Sequence, residues 1–139
     1  MIERIPQKTM DDCTTCVVAM VMGYTYEQVL EDTRPYARRN ADGKYLEWWV
    51  EYIQHKGLTV AFRPFMEAYD LWKSPGQTVG ILGMTIPHMQ RRHVVAIDAE
   101  GVIDPADGRP NRMHLAEYVA SQLAIGIVID TEFLAIYRK

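Results

Sequence analysis

Four residues of this 139-residue chain have the chemical types, and the order along the chain, that a thiol-based acyl transfer needs. Gln7 stands six residues before Cys13, His93 comes much later, and Asp104 lies eleven residues after His93. A thiol is nucleophilic as its thiolate, an imidazole can act as base and then as acid, and a carboxylate can orient that imidazole. An amide can donate a hydrogen bond to the oxyanion that develops on the attacked carbonyl. Together these residues predict a thiol hydrolase that acts on a peptide or amide bond.

The surroundings of Cys13 favour a reactive thiol. Cys13 opens an almost wholly apolar segment that ends at Gly23, which predicts a buried helix with Asp12 as its N-cap. The positive end of the helix dipole lowers the pKa of a thiol, and an imidazolium at His93 would lower it further. Asp11 and Asp12 act against the thiolate, but as exposed carboxylates they would be screened by solvent.

The pattern of apolar residues predicts helices in the first half of the chain and strands in the second, which is typical of an α+β fold. We read one domain over residues 1–139. The predicted helices cover 13–22, 26–32, 44–55, 67–72 and 113–121, with Thr25 as the N-cap of the second. The predicted strands cover 58–62, 78–83, 93–98, 102–104, 124–129 and 133–138.

The contact between His93 and Asp104 depends on the register of one hairpin. If Ile97 pairs with Val102, Asp104 lies diagonal to His93 on the same face of the sheet. A bulged turn with Gly101 in the left-handed region shifts the pairing by one residue, and Asp104 then faces away. The sequence leaves both registers open.

The order of these motifs resembles the double-glycine leader peptidases of bacterial peptide exporters, a family of papain-like cysteine peptidases. The resemblance rests on Gln-x5-Cys, the apolar helix ending at Gly23, His93-Val94-Val95 and Asp104-Pro105, and it extends to residues 43–57 and 75–82. It implies a papain-like α+β fold, in which an N-terminal helical part packs on a twisted, mostly antiparallel sheet.

The resemblance also implies one role for each candidate residue. Gln7 would serve the oxyanion hole, Cys13 would be the nucleophile, His93 the base and Asp104 the residue that orients the base. Thr14 departs from the family pattern, which usually has glycine after the nucleophile. A side chain at that position lies close to the expected path of the substrate backbone.

Two other functions remain possible from the sequence. Cys13 and Cys16 form a Cys-x-x-Cys motif, which is also the arrangement of thiol–disulfide oxidoreductases, although these have a strand before the motif and here mostly polar residues precede it. The other alternative is a catalytically silent peptide-binding module of the same fold. Deamidation and transglutamination would use the same groups as proteolysis, so the sequence does not separate them.

Composition narrows the class of partner. The net charge of −3 and the pI near 5.8 give no basic footprint for nucleic acid, and no apolar run approaches the ~20 residues that span a bilayer. We therefore expect a stand-alone cytoplasmic domain with a peptide or protein substrate and no membrane insertion. No second pair of ligands completes a zinc site beside Cys13 and Cys16, so neither a metal nor another cofactor is expected. The oligomeric state is left open.

Overall fold

A computed structural model of the protein describes residues 2–7, 13–34, 48–106 and 108–138. These residues form helices and one five-stranded sheet whose neighbouring strands are all antiparallel. The helices are α1 (Cys13–Met22), α2 (Tyr26–Asp32), α3 (Trp48–His55) and α4 (Leu115–Ala124), and 3-10 helices cover Phe65–Lys73 and Pro87–Met89. The strands are β1 (Thr59–Pro64), β2 (Thr78–Ile86), β3 (Arg91–Asp98), β4 (Gly101–Ile103) and β5 (Val128–Tyr137), in the order β1-β5-β2-β3-β4. The predicted α+β class is confirmed.

Helix α1 has the bounds that its apolar pattern predicts. It is buried on most sides, and Gly23 ends it in the left-handed region at φ 72°. The predicted N-cap, Asp12, lies outside the described residues. Helix α1 is ten residues long, and none of the helices in the described ranges is long and apolar enough to cross a membrane.

The sheet is covered by apolar side chains on both faces, because successive residues of a strand point to opposite sides. One face packs against α1 and α3, and the other packs against α4 and the 3-10 helix Phe65–Lys73. The first face includes Val79, Ile81, Val94, Ala96, Leu134 and Ile136, and the second includes Leu82, Met84, Val95, Ile97, Phe133 and Ala135. His93 follows the alternation of Val95 and Ile97 and therefore belongs to the second face.

The prediction of two strands at the end of the chain was wrong. Helix α4 extends to Ala124, and β5 is a single strand from Val128 to Tyr137. The polar residues around Asp130 do not interrupt the strand. They are accommodated by a register shift in the pairing of β5 with β2. Arg92 binds Asp130 across this irregularity at 2.7 Å, so the polar residues stay within the strand.

The other elements agree with the predictions to within a few residues. Thr25 caps α2 as predicted, because its hydroxyl accepts a hydrogen bond from the Gln28 backbone N–H at 3.0 Å. The third predicted helix is seen over Trp48–His55, and residues 44–47 lie outside the described part of the chain. The short helix predicted for 67–72 is a 3-10 helix over Phe65–Lys73.

Candidate active site

The outer edge of β3 is the place where the candidate residues meet. Strand β4 is only three residues long and ends at Ile103, which pairs with Ala96. No other described strand covers the edge of β3 before Ala96, so His93 lies beside a gap in the sheet. The chain leaving β4 and the beginning of α1 can both reach His93 there.

The hairpin has the first of the two registers that the sequence allowed. Ile97 pairs with Val102, and Asp98 pairs with Gly101. Gly101 has a φ of 131°, and a Cβ at this position would lie 2.1 Å from the carbonyl oxygen of Met113. Because the glycine permits this close approach, Met113 forms a pair of backbone hydrogen bonds with Val102, at 2.7 and 2.9 Å. This contact holds the segment before α4 against the hairpin.

His93 and Asp104 form a direct hydrogen bond in this register. The distance between His93 Nε2 and Asp104 Oδ1 is 2.8 Å, and the exposed fractions of the two side chains are 14% and 4%. Burial would raise the pKa of Asp104, but the hydrogen bond and the charge of His93, followed by the hydrogen bond from Tyr118, hold this pKa below its ordinary value. Asp104 is therefore an ionised carboxylate that is hydrogen-bonded to the imidazole.

Cys13 completes the chain of contacts. As the first residue of α1 it stands at the positive end of the helix, and its sulfur lies close enough to the His93 ring and to the backbone N–H of Val94 for both to lower its pKa. Since Nε2 of His93 is bound to Asp104, Nδ1 is the ring nitrogen that remains for the sulfur. The hydroxyl of Thr14 lies 4.0 Å from the sulfur.

The electrostatics of this pair favour a thiolate and an imidazolium. Burial opposes the charged thiolate, but the hydrogen bond and charge of His93 outweigh it, and the pKa of Cys13 is lowered from its ordinary value. Burial likewise opposes the imidazolium, but Asp104 and Cys13 raise the pKa of His93 to about 9. Both shifts act in the same direction, because each favours a proton on the imidazole and a negative charge on the sulfur.

An N-terminal strap, residues 2–7, is bound to the chain that follows β4. Three consecutive carbonyl groups of that chain accept hydrogen bonds from the strap. Arg4 donates to the carbonyl oxygens of Asp104 at 2.9 Å and Ala106 at 2.7 Å, and the Gln7 backbone N–H donates to that of Pro105 at 2.7 Å. Gln7 is therefore anchored next to Asp104, although 97 positions (104 − 7) separate them in the chain.

The two hydrogen bonds of Arg4 lead to a prediction for stability. We expect Arg4→Met to lower the free energy of unfolding by about 2 kcal/mol, because two partly buried carbonyl oxygens lose a charged donor. Urea denaturation followed by circular dichroism measures this change. The matched control is Arg63→Met, since Arg63 also makes two hydrogen bonds, but to the exposed carboxylate of Glu67.

The control should lower the free energy of unfolding by much less than Arg4→Met, because exposed ion pairs contribute little. Equal losses in the two variants would contradict the idea that the strap is held mainly by Arg4.

Several of the contacts around the site were not anticipated from the sequence. Arg4 gave no signal, because an arginine in a polar N-terminal segment is usually solvated. Tyr118 lies on the inner side of a predicted helix, and a buried tyrosine needs a partner for its hydroxyl, which could have drawn attention to it. Asp98 is the first residue of the hairpin turn and binds Arg112.

Comparison with known proteins is informative at the level of the structure. No family model and no curated protein matches the chain. Its structure is similar to the crystal structure of the peptidase domain of Streptococcus ComA, described as a bi-functional ABC transporter involved in a quorum sensing pathway. The TM-score is 0.62, the sequence identity is 15%, and the match covers all of both chains.

The chain has the papain-like fold. The resemblance seen in the sequence is thereby confirmed at the level of the fold. In this papain-like domain, α1 packs on the sheet and presents Cys13 to the free edge of β3, where His93 lies. At 15% identity the likeness establishes the fold alone, so the reaction has to be argued from the residues themselves.

Proposed function

We propose that this papain-like domain hydrolyses peptide or amide bonds with Cys13, His93 and Asp104 as its catalytic triad and Gln7 as an oxyanion-hole donor. The observation that carries the proposal is the unbroken series of contacts from the Cys13 sulfur through the His93 ring to the Asp104 carboxylate. The directions of the two pKa shifts support the proposal, because they favour a proton on the imidazole and a thiolate at Cys13, the form of the sulfur that is nucleophilic.

The first half of the reaction forms an acyl-enzyme. The Cys13 thiolate attacks the carbonyl carbon, and the carbonyl electron pair moves to the oxygen. The side-chain amide of Gln7 and the backbone N–H of Cys13 donate hydrogen bonds to this oxyanion. The imidazolium of His93 then gives its proton to the leaving amine as the C–N bond breaks, which leaves a thioester on Cys13.

The second half of the reaction restores the enzyme. Neutral His93 takes a proton from water, whose oxygen attacks the thioester carbonyl. The C–S bond breaks, the carboxylic acid product leaves, and the proton held by His93 again faces a thiolate. Throughout both halves Asp104 accepts the hydrogen bond from Nε2 and so holds the ring plane and the tautomer.

The packing of the two thiols supports hydrolysis over disulfide exchange. Cys16 has no exposed surface, and its thiol lies 3.7 Å from the carbonyl oxygen of Pro6, to which it donates. Residues 2–7 also lie outside the sheet, so this described segment does not supply the strand that precedes a redox motif. The role that fits Cys16 is that of a core residue one turn along α1.

The contact between Cys13 and His93 likewise supports turnover over silent binding. A binding module that has lost catalysis has no need of a buried thiolate–imidazolium pair, because separating such charges from water is costly unless they are used or compensated. The description of the similar ComA domain as a peptidase supports a peptide as the substrate class.

The proposal is tested by incubating the protein with a random peptide library in water enriched in oxygen-18 and identifying the products by mass spectrometry. Peptide hydrolysis predicts new C-termini that carry one heavy oxygen, absent from a parallel reaction with Cys13→Ala. Glutamate formed from glutamine without chain cleavage would identify a deamidase instead. Binding of library peptides without any product would support the silent module.

A further inference from the structure

The carboxylate of Asp104 has a second partner that lies opposite His93. Tyr118, on α4, has no exposed surface, and its hydroxyl donates a hydrogen bond of 2.6 Å to Asp104 Oδ2. His93 occupies the other oxygen, Oδ1, together with the backbone N–H of Ala106 at 2.9 Å. Both oxygens of the carboxylate are thus engaged, and the plane of the group is determined by donors on opposite sides.

The guanidinium of Arg109 competes with His93 for the carboxylate of Asp104, and it lies on the Tyr118 side of that carboxylate. Arg109 Nε is 3.7 Å from Asp104 Oδ2, and the Arg109 guanidinium carbon lies 5.9 Å from the centre of the Tyr118 ring. A guanidinium binds a carboxylate most strongly in a two-bond arrangement that uses both oxygens. If Asp104 turned to form that arrangement with Arg109, Oδ1 would no longer face His93.

We propose that Tyr118 is a positioning residue of the triad: its hydroxyl fixes the carboxylate of Asp104 so that Oδ1 faces His93, and it prevents Arg109 from capturing the carboxylate. The inference rests on the proposed function, because it assigns Tyr118 a task within the triad. The titratable and charged groups that face this cluster in the described structure are Cys13 from α1, Tyr118 from α4, Arg109 from the segment before α4 and Arg4 from the strap, which is bound to the backbone carbonyl of Asp104.

The Tyr118 hydroxyl keeps its proton and therefore remains a hydrogen-bond donor to Asp104. Burial and then the charge of Asp104 raise the pKa of the Tyr118 phenol above its ordinary value of 10.0. The hydroxyl therefore keeps its proton over the whole range in which the thiolate–imidazolium pair exists. Its other contact, with the Met84 sulfur at 3.6 Å, is weak and leaves the hydrogen bond to Asp104 as the dominant one.

Tyr118→Phe removes one oxygen atom and retains the packing of the ring. Tyr52→Phe is the matched control, because Tyr52 is also buried and its hydroxyl donates a hydrogen bond of 2.8 Å to a carboxylate, that of Asp32, outside the triad. In each variant the imidazole of His93 is titrated by NMR, and the alkylation of Cys13 by iodoacetamide is followed against pH by peptide mapping.

For Tyr118→Phe we expect the pKa of His93 to fall from about 9 towards its ordinary 6.5. The inflection in Cys13 alkylation should move to higher pH, because the imidazolium that stabilises the thiolate is lost. On a peptide cleaved by the wild type, kcat should fall by about 10- to 100-fold with little change in KM. Tyr52→Phe should leave all three quantities unchanged.

A rescue variant tests the competition directly. In Tyr118→Phe combined with Arg109→Met the guanidinium on the Tyr118 side of Asp104 is removed, so the pKa of His93 should return at least half of the way to its wild-type value. If the His93 pKa does not shift in Tyr118→Phe, Tyr118 contributes only to packing. If this pKa shifts upward, the only effect of the Tyr118 hydroxyl is to weaken the negative charge of Asp104. Either result overturns the proposal, and so does a double variant that behaves like the single one.

Failure of this inference can be distinguished from failure of the proposed function. The titration of His93 needs no substrate, so it reports the effect of Tyr118 even if the protein cleaves none of the peptides. Conversely, hydrolysis that persists in Cys13→Ala would refute the triad, whatever the titration of His93 shows in Tyr118→Phe.

Discussion

Cys13→Ala is expected to abolish covalent labelling by iodoacetamide at neutral pH and to lower peptide hydrolysis by at least about 10⁴-fold. The sulfur is the only atom in this arrangement that would form the acyl-enzyme, and alanine leaves His93 and Asp104 with no nucleophile to activate. Labelling is measured by mass spectrometry of the intact protein and its peptides, and hydrolysis by single-turnover assays.

The matched control is Cys16→Ser, which removes the other thiol and keeps a donor that can face the Pro6 carbonyl. This variant should still be labelled, because Cys13 retains its contact with His93. Labelling that survives in Cys13→Ala and disappears in Cys16→Ser would show that Cys16, and not Cys13, is the nucleophile. Loss of labelling in both would indicate a reaction that needs the pair, as disulfide exchange does.

The expected difference between the two thiols follows from their places on α1. Cys13 begins the helix, where the backbone N–H groups have no partner within the helix, and it keeps 8% of its surface exposed. Cys16 lies one turn further on, without exposed surface, and its thiol donates to the carbonyl oxygen of Pro6. A thiol without exposed surface is out of reach of a substrate or an alkylating reagent.

Local patterns in the sequence predicted the elements that carry the site. The apolar run after Cys13 and the glycine at position 23 gave the bounds of α1, and the Thr25 cap gave the start of α2. These features are decided within a few residues of the chain, by caps, dihedral preferences and periodicity. The papain-like fold was reached in a different way, as what the resemblance of four short motifs to a known peptidase family implies.

The hairpin register could not be predicted because its cause lies outside the hairpin. Gly101 was read as a possible bulge, yet its φ of 131° is explained by the close approach of Met113, which pairs with Val102. The hydrogen bonds from Arg4 to the carbonyl groups of Asp104 and Ala106 could not be predicted for the same reason, since about a hundred residues separate the partners. Contacts of this range depend on the assembled fold and leave no periodic trace in the sequence.

A second large effect is expected for His93→Gln, which keeps a polar side chain of similar length but cannot carry the positive charge. Without the imidazolium, burial becomes the dominant influence on the Cys13 thiol, and its pKa should rise to its ordinary 9.0 or beyond. Since each pKa unit changes the thiolate fraction tenfold, alkylation at pH 7 should slow by at least about tenfold. Hydrolysis should fall further, by about 10³-fold, because the leaving amine also loses its acid.

The slower alkylation and the slower hydrolysis expected for His93→Gln have one cause, which the pH dependence of the wild type shows. Hydrolysis should rise with pH as the thiol of Cys13 ionises below 9.0, and it should fall again as the imidazolium of His93 loses its proton near about 9. The two limbs belong to the coupled pair rather than to either residue alone.

In His93→Gln the upper limb should disappear and the lower limb should move upward. The control His55→Gln, which removes an exposed imidazole from the end of α3, should keep both limbs. A bell-shaped profile that persists in His93→Gln would show that another group supplies the acid, and the triad would have to be reassigned.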